Sequence, residues 1–238
     1  MSTHRSSGLL QRIGWRPVVQ LVLFVILLPC VLFLAAWRLD WPIAWVYVAL
    51  HVISSLASRL IVLRISPDLL VERARSLDAE RGKSWDRPLV LLAAIIGPLA
   101  IWIIAGFDER WNWSPDLSLP LQVVALLLVL LGYAIGTWAM AANAYFSGVV
   151  RIQDDRGQTV IQTGPYRYVR HPAYAGALLC YLTMPVMLDS LWALVPAVLT
   201  MAVVWLRTSL EDRTLTAELP GYADYAQRTR YRLFPGIW

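Results

Sequence analysis

The chain has 238 residues, 58% of them hydrophobic and 16% charged, with a formal net charge of +5. That is more apolar surface than a water-soluble domain of this length buries in one core, which excludes an ordinary soluble enzyme and makes lipid the simple solvent. The positive balance does not call for nucleic acid, since retention of basic residues on the cytoplasmic side and contact with anionic headgroups account for it.

The apolar residues gather into six runs, each near the roughly 20 helical residues that cover a hydrocarbon layer about 30 Å thick. In chain order they are Pro17 to Trp37, Trp41 to Leu63, Pro88 to Phe107, Leu119 to Ala142, Pro172 to Leu188, and Leu191 to about Leu206. The first follows three arginines, yet it exceeds the apolar core of about 7–15 residues found in secretory signals and a second run follows almost at once, so it reads as a membrane helix. Kinks are expected at Pro29, Pro98, Pro185 and Pro196, where a backbone donor is missing. The last two runs meet at Asp189-Ser190 and read as a tight helical hairpin.

Basic residues test this topology independently of hydropathy. With the N-terminus inside, 18 of the 21 lysines and arginines fall before the first run, in 64–87, in 151–170 or after the sixth run, and only Arg38 and Arg110 fall outside, with Arg59 inside the second run. Both termini are therefore expected in the cytoplasm, in a bacterial inner membrane or an endoplasmic reticulum. The mixed-sign stretch Ser66 to Arg87 suggests a short interfacial helix ending near Gly82, and the acidic, tryptophan-rich loop Asp108 to Ser118 suits headgroup level. His51 reads as a satisfied interhelical group and Cys30 and Cys180 as small buried residues. No metal-ligand cluster is expected, because His4, His51 and His171 are far apart in the chain.

Two polar segments carry chemistry. The first, RIQDDRGQTVIQTGPYRYVRHPAYAG, begins at Arg151 and runs into the fifth helix. Gly164-Pro165 makes a turn, Tyr166, Arg167, Tyr168, Arg170 and His171 cluster at the membrane surface, and Pro172 suits the first position of the helix. That helix end would turn unpaired N–H groups toward the cluster, favouring a ligand's carboxylate or ribose oxygens. His171 and Tyr174 share a face, and Gly176 lets something approach the backbone closely, a cofactor being one possibility. The second segment leaves the sixth helix as WLRTSLEDRTLTAELPGYADYAQRTRYRLFPGIW. Arg207 and Glu211 are four apart, a cation and a carboxylate on one face, either an ordinary surface pair or a pair aimed at one charged ligand.

RHPAYAG after GPY, then Arg207 and Glu211-Asp212, then GYADY and the arginine-rich RTRYRLFPGIW, resemble the isoprenylcysteine carboxyl methyltransferase family and related membrane phospholipid methyltransferases. The resemblance covers roughly Arg151 to Trp238, while the first four spans match only in being hydrophobic. It implies S-adenosylmethionine bound at the cytoplasmic face by Gln158, Thr159, Val160, Ile161, Tyr166, Arg170, His171, Pro172, Ala173 and Tyr174. Glu211 matches the acid that takes the methionine ammonium, and Arg207 matches the arginine that orients the acceptor carboxylate. Two departures are Glu211-Asp212, where the family often has two glutamates, and Leu219-Pro220-Gly221, where it often has Phe-Gly.

The expectation is an all-α integral membrane protein of about six transmembrane helices, the last two a tight hairpin, with a cytoplasmic cofactor site and C-terminal tail. Residues 1–150 would hold four spans and the 66–87 loop, and 151–238 the methyltransferase-like region. The activity implied is methyl transfer to a lipophilic or lipidated acceptor entering from the bilayer, as in isoprenylcysteine carboxyl O-methylation. Two alternatives stay open: an NADPH-dependent membrane reductase of the sterol-reductase type, and a non-enzymatic membrane protein whose arginines bind lipid headgroups.

Overall fold

A computed structural model describes residues 19, 22–27, 29–65, 69 and 82–238. Among these, every regular element is helical. A π-helical turn Val22–Leu27 precedes α1 (Cys30–Ala36), followed by α2 (Pro42–Ile65), α3 (Asp86–Trp111, with a π-helical stretch Leu92–Ile96), α4 (Leu119–Ala142), α5 (Pro172–Met187), α6 (Leu194–Glu218) and α7 (Tyr222–Arg228). Helices α2, α3, α4 and α6 are long and apolar enough to cross a membrane. Only 17–33% of their most apolar stretches is buried inside the protein, so leucine, valine and tryptophan side chains cover their outer faces. Such a surface suits hydrocarbon rather than water.

The first expected span differs from the structure. Within its described part, the π-helical turn and the seven-residue α1 replace one continuous helix, and α1 ends at Trp37 in the left-handed region (φ 56°). Pro29, with no N–H to donate, sits at the junction. Cys30, expected to be buried, is exposed. Most of the interfacial helix expected over Ser66 to Arg87 lies outside the described residues.

Pro98 interrupts the hydrogen-bond ladder of α3, and a neighbouring helix fills the gap. Upstream of it the Gly97 N–H reaches the Leu92 carbonyl, five residues back. In that register Pro98 would donate to Ala93, and cannot; the Tyr181 hydroxyl of α5 donates to the Ala93 carbonyl instead, at 2.7 Å. A buried carbonyl in lipid thus keeps a partner.

The α5–α6 hairpin forms, with a wider turn than expected: α6 starts at Leu194 rather than Leu191, after Asp189 in the left-handed region (φ 61°). It also runs to Glu218, well past Leu206. Hydropathy marks where the lipid-facing residues stop, whereas the helix continues because 207–218 are mostly good helix formers without proline or glycine.

Among the described residues, α4 and α5 share the most extensive helix–helix contact. A Cβ at Gly176 would lie 2.5 Å from the Gly132 carbonyl oxygen, and one at Gly132 would meet the Gly176 carbonyl at 2.6 Å. The close approach read at Gly176 is therefore that of a neighbouring helix, not of a cofactor. The core around this pair is lined by Leu32, Tyr47, Ile101, Trp102, Val129 and Met187 from five helices. His51 makes an interhelical hydrogen bond, its Nδ1 lying 2.8 Å from the Tyr133 hydroxyl of α4.

Candidate functional site

A cavity of about 390 Å³ opens where α5 begins and α6 leaves its apolar stretch. Every residue that the family resemblance assigns to cofactor or acceptor borders it: Gln158 to Ile161, Tyr166, Arg170 to Tyr174, Arg207 and Glu211; Arg167 and Tyr168 do not. Its far end is apolar, walled by Val90, Ala93 and Ala94 of α3, Ala177 of α5 and Val204 of α6. Its near end is polar, roofed by the connection 143–153 and walled by Tyr222 and Tyr225 of the tail.

Local sequence explains how each wall is set. Gly164 adopts φ 60°, and a Cβ there would lie 2.9 Å from Ala142 Cβ, so glycine is needed where the loop turns back under the end of α4. The turn delivers Tyr166, whose hydroxyl receives a hydrogen bond from Asn143 at 3.3 Å, while the Tyr225 hydroxyl donates to the Tyr166 carbonyl at 2.6 Å. Burial pushes the Tyr225 phenol up to about 12, which keeps it a neutral donor. Leu219-Pro220-Gly221, a departure from the family pattern, forms a tight turn: Gly221 has φ 81° and ψ −4°, and the Tyr222 N–H bonds the Leu219 carbonyl at 3.1 Å. Proline followed by a left-handed glycine is the type II arrangement, and it folds α7 back over the cavity.

Asp212 organises the polar wall. It is buried, and Arg170 donates to both its oxygens at 2.8 and 2.9 Å. Arg232 of the tail adds a third contact at 2.7 Å, the His171 ring nitrogen lies 3.1 Å away, and the Tyr222 hydroxyl donates at 3.0 Å. Burial opposes the charge on Arg170, yet the hydrogen bonds and field of Asp212 outweigh it and raise its affinity for the proton, so the guanidinium stays charged. Backbone bonds continue the clamp, from the Arg170 N–H to the Tyr231 carbonyl at 3.0 Å and from the His171 N–H to the Arg232 carbonyl at 2.8 Å.

Arg207 and Glu211 share a face of α6, but they do not pair directly. Arg207 donates through Nε and Nη2 to the two oxygens of Asp86, at 2.7 and 3.1 Å, and through Nη2 to the Gly148 carbonyl at 3.1 Å. Its Nη1 bonds the Tyr174 hydroxyl, which in turn donates to Glu211 Oε2 at 2.5 Å. Four of the five N–H groups of Arg207 thus have protein partners. Asp86 is fully buried and also accepts the Val150 N–H at 2.7 Å. Glu211 is the opposite case: partly buried on the cavity wall, it has the Tyr174 hydrogen bond and, among the described residues, no cation within ion-pair distance.

Asp86 and Arg232 were not legible as members of this site. Asp86 sits in a mixed-sign stretch with Lys83 and Arg87 on either side, and nothing in the spacing distinguishes it. Arg232 is one of several arginines in the tail. Among the described residues no group of three or more His, Cys, Asp or Glu could hold a metal ion.

Residues 121–220 match the phospholipid methyltransferase family. RHPAYAG, Arg207 and Glu211-Asp212 lie within the matched segment, whereas GYADY and the arginine-rich tail lie beyond it; the match supports methyl transfer by membrane methyltransferases in general. It also begins inside α4, whose sequence resembles the family only in being hydrophobic, and the glycine contact with α5 gives α4 a physical place in that unit. Over 126 residues the chain is 33% identical to the cobalt-zinc-cadmium resistance protein CzcN of Cupriavidus metallidurans, covering 51% of this chain and 52% of that protein. The chain thus spans about half the length of the curated relative it matches. Four residues outside the matched segment also shape the site: Tyr222 and Tyr225 line the cavity, Asp86 holds Arg207 and Arg232 holds Asp212.

Proposed function

We propose that the chain transfers a methyl group from S-adenosylmethionine to a lipophilic acceptor drawn from the bilayer, with a carboxylate oxygen as the attacking atom. The observation that carries this reading is Glu211: a carboxylate without a cationic partner on the wall of a cavity whose other end is apolar and framed by membrane helices. The residues present fit such a ligand. Glu211 would take an ammonium, the backbone of Gln158 to Ile161 and the rings of His171 and Tyr174, stacked with centroids 5.8 Å apart, would flank the rest, and the α3–α5–α6 end would take hydrocarbon. When bound, S-adenosylmethionine supplies an electrophilic methyl carbon on a sulfonium that leaves as a neutral thioether.

The chain's contribution is to align and to exclude water. An acceptor carboxylate loses its charge as the C–O bond forms and the C–S bond breaks, so a dry site between helices favours the reaction and no proton has to be moved. Arg207 would orient the acceptor, held rigid for that purpose by Asp86, Gly148 and Tyr174.

Calorimetric titration of the detergent-purified chain with S-adenosylhomocysteine, beside NADPH, tests this. S-adenosylhomocysteine alone should bind, and Glu211→Gln should weaken it by about 30- to 160-fold, the effect of a lost buried charge-assisted contact of about 2–3 kcal/mol. Binding of NADPH instead, or unaltered affinity in the variant, would overturn the assignment.

A further inference from the structure

A second depression, of about 310 Å³, lies on the outer side of the same two segments that clamp Asp212. Arg167 and Tyr168 border it from the loop before α5, and Arg228, Arg230 and Tyr231 from the tail. All three arginines are exposed, as are Tyr168 (55%) and Tyr231 (39%). Their partners set them apart from the basic residues around the cavity. Arg170 and Arg232 pair with Asp212, Arg207 with Asp86, Arg151 with Asp155 and Lys83 with Glu218. Among the described residues Arg167, Arg228 and Arg230 have no carboxylate; Arg167 lies over the Tyr168 ring at 5.2 Å, and Arg228 donates to the Asp224 carbonyl at 3.4 Å. Three guanidiniums without counter-charge, gathered around one concavity, repel each other unless an anion joins them.

The neighbouring apolar residues give the depth of this cluster. Trp238 stacks on Trp205 of α6, with centroids 3.9 Å apart, and Ile237 is 75% exposed. Trp205 is itself 41% exposed on a membrane-facing helix. The tail therefore lays its apolar side along hydrocarbon-facing surface, while Arg167 stands five residues before the first residue of α5. Arginines at that boundary, flanked by two tyrosines, are at headgroup level.

We propose that Arg167, Arg228 and Arg230 form a site for the phosphate of an anionic phospholipid headgroup in the membrane that holds the protein. Guanidiniums bind phosphate oxygens through paired N–H donors, and a hydroxyl from Tyr168 or Tyr231 suits the glycerol side. A headgroup there bridges the loop 167–168 to the tail 228–231. Those are the two strands of chain already joined by the Arg170 to Tyr231 and His171 to Arg232 backbone bonds, so occupancy stiffens the outer wall of the cavity. The proposal stands whatever reaction the cavity performs.

The test uses the full chain in neutral detergent, titrated separately with phosphatidylglycerol, phosphatidylcholine and inorganic phosphate. The readouts are the thermal midpoint and the hydrogen exchange of the Arg170 and His171 amides. Phosphatidylglycerol should raise the midpoint and slow exchange at these amides, with little effect from the other two. The triple change R167Q, R228Q and R230Q should weaken phosphatidylglycerol by more than tenfold, since each basic residue at an anionic surface contributes about 1 kcal/mol, or about fivefold. Lysine at the same three positions should recover most of that loss. A control carrying R64Q and R213Q, both exposed and outside this depression, should stay within about twofold. Equal losses in the control and the triple variant, equal protection by phosphatidylcholine, or equal protection by inorganic phosphate at the same concentration would overturn the site.

Discussion

The two ends of α6 hold buried carboxylates in different company. Near its N-terminal end, Asp108 accepts the Ser114 N–H at 2.7 Å and the hydroxyls of Ser114 and Ser190 at 2.6 and 2.5 Å, all neutral donors. Ser114 Oγ accepts the Leu191 N–H at 2.9 Å, and Asp189 accepts the Leu117 N–H at 2.7 Å, so the α5–α6 turn is sewn to the 112–118 loop. At the C-terminal end, Asp86 and Asp212 are each saturated by guanidiniums, while Glu211, next to Asp212 in sequence, has a single neutral hydrogen bond. Burial of an acid therefore does not by itself mark function. The informative group is the one left with charge to spare after its neighbours have been counted.

That contrast can be broken by mutation. The largest effect is expected at Asp212→Ala, which strands Arg170 and part of Arg232 without a counter-charge in a buried wall. A loss of about 3–5 kcal/mol in stability, read by thermal unfolding in detergent, is the expectation for one partner removed from a buried pair. Glu211→Gln, one residue away, should leave the melting midpoint within experimental scatter while abolishing tight ligand binding. Similar melting losses at both positions would erase the distinction between the neighbours.

Asp86→Asn comes next. It keeps the shape and the Val150 N–H acceptor but removes the charge facing Arg207, so a loss of about 2–3 kcal/mol is expected, together with a raised KM for the acceptor as the guanidinium loosens. An unchanged KM with a lowered midpoint would make Asp86 purely structural. Ser190→Ala should be the mildest, about 1 kcal/mol from the lost bonds to Asp108 and to the Ala193 N–H, with ligand affinity unaltered because the cavity is at the other end of the helix. An altered affinity would mean that the two ends are coupled through α6.

How legible these features were follows from their range in the chain. Hydrophobic runs announced the helices because a lipid solvent acts on each segment separately, and GPYRYVRHPAYAG with its tyrosines and glycines could be read because the residues that shape the turn are sequential. The Asp86–Arg207 pair spans 121 positions, and no local pattern encodes which acid such an arginine will find. The same holds for Gly176, whose meaning depended on which backbone lies against it. The apolar run of α6 is shorter than the helix for a related reason, since hydropathy records the solvent around a helix and not its hydrogen bonds.

By itself the sequence determined that this chain folds as apolar helices and which polar segments border the cavity, those carrying His171 and Glu211 among them, because composition, spacing and turn residues are local properties. Only the tertiary structure decided that Arg207 is held by Asp86, that Asp212 is a saturated hub while Glu211 has a single neutral hydrogen bond, and that α4 rather than a ligand fills the space at Gly176. Those outcomes depend on contacts between segments far apart in the chain, where the balance of charge and volume is settled only once the helices are packed.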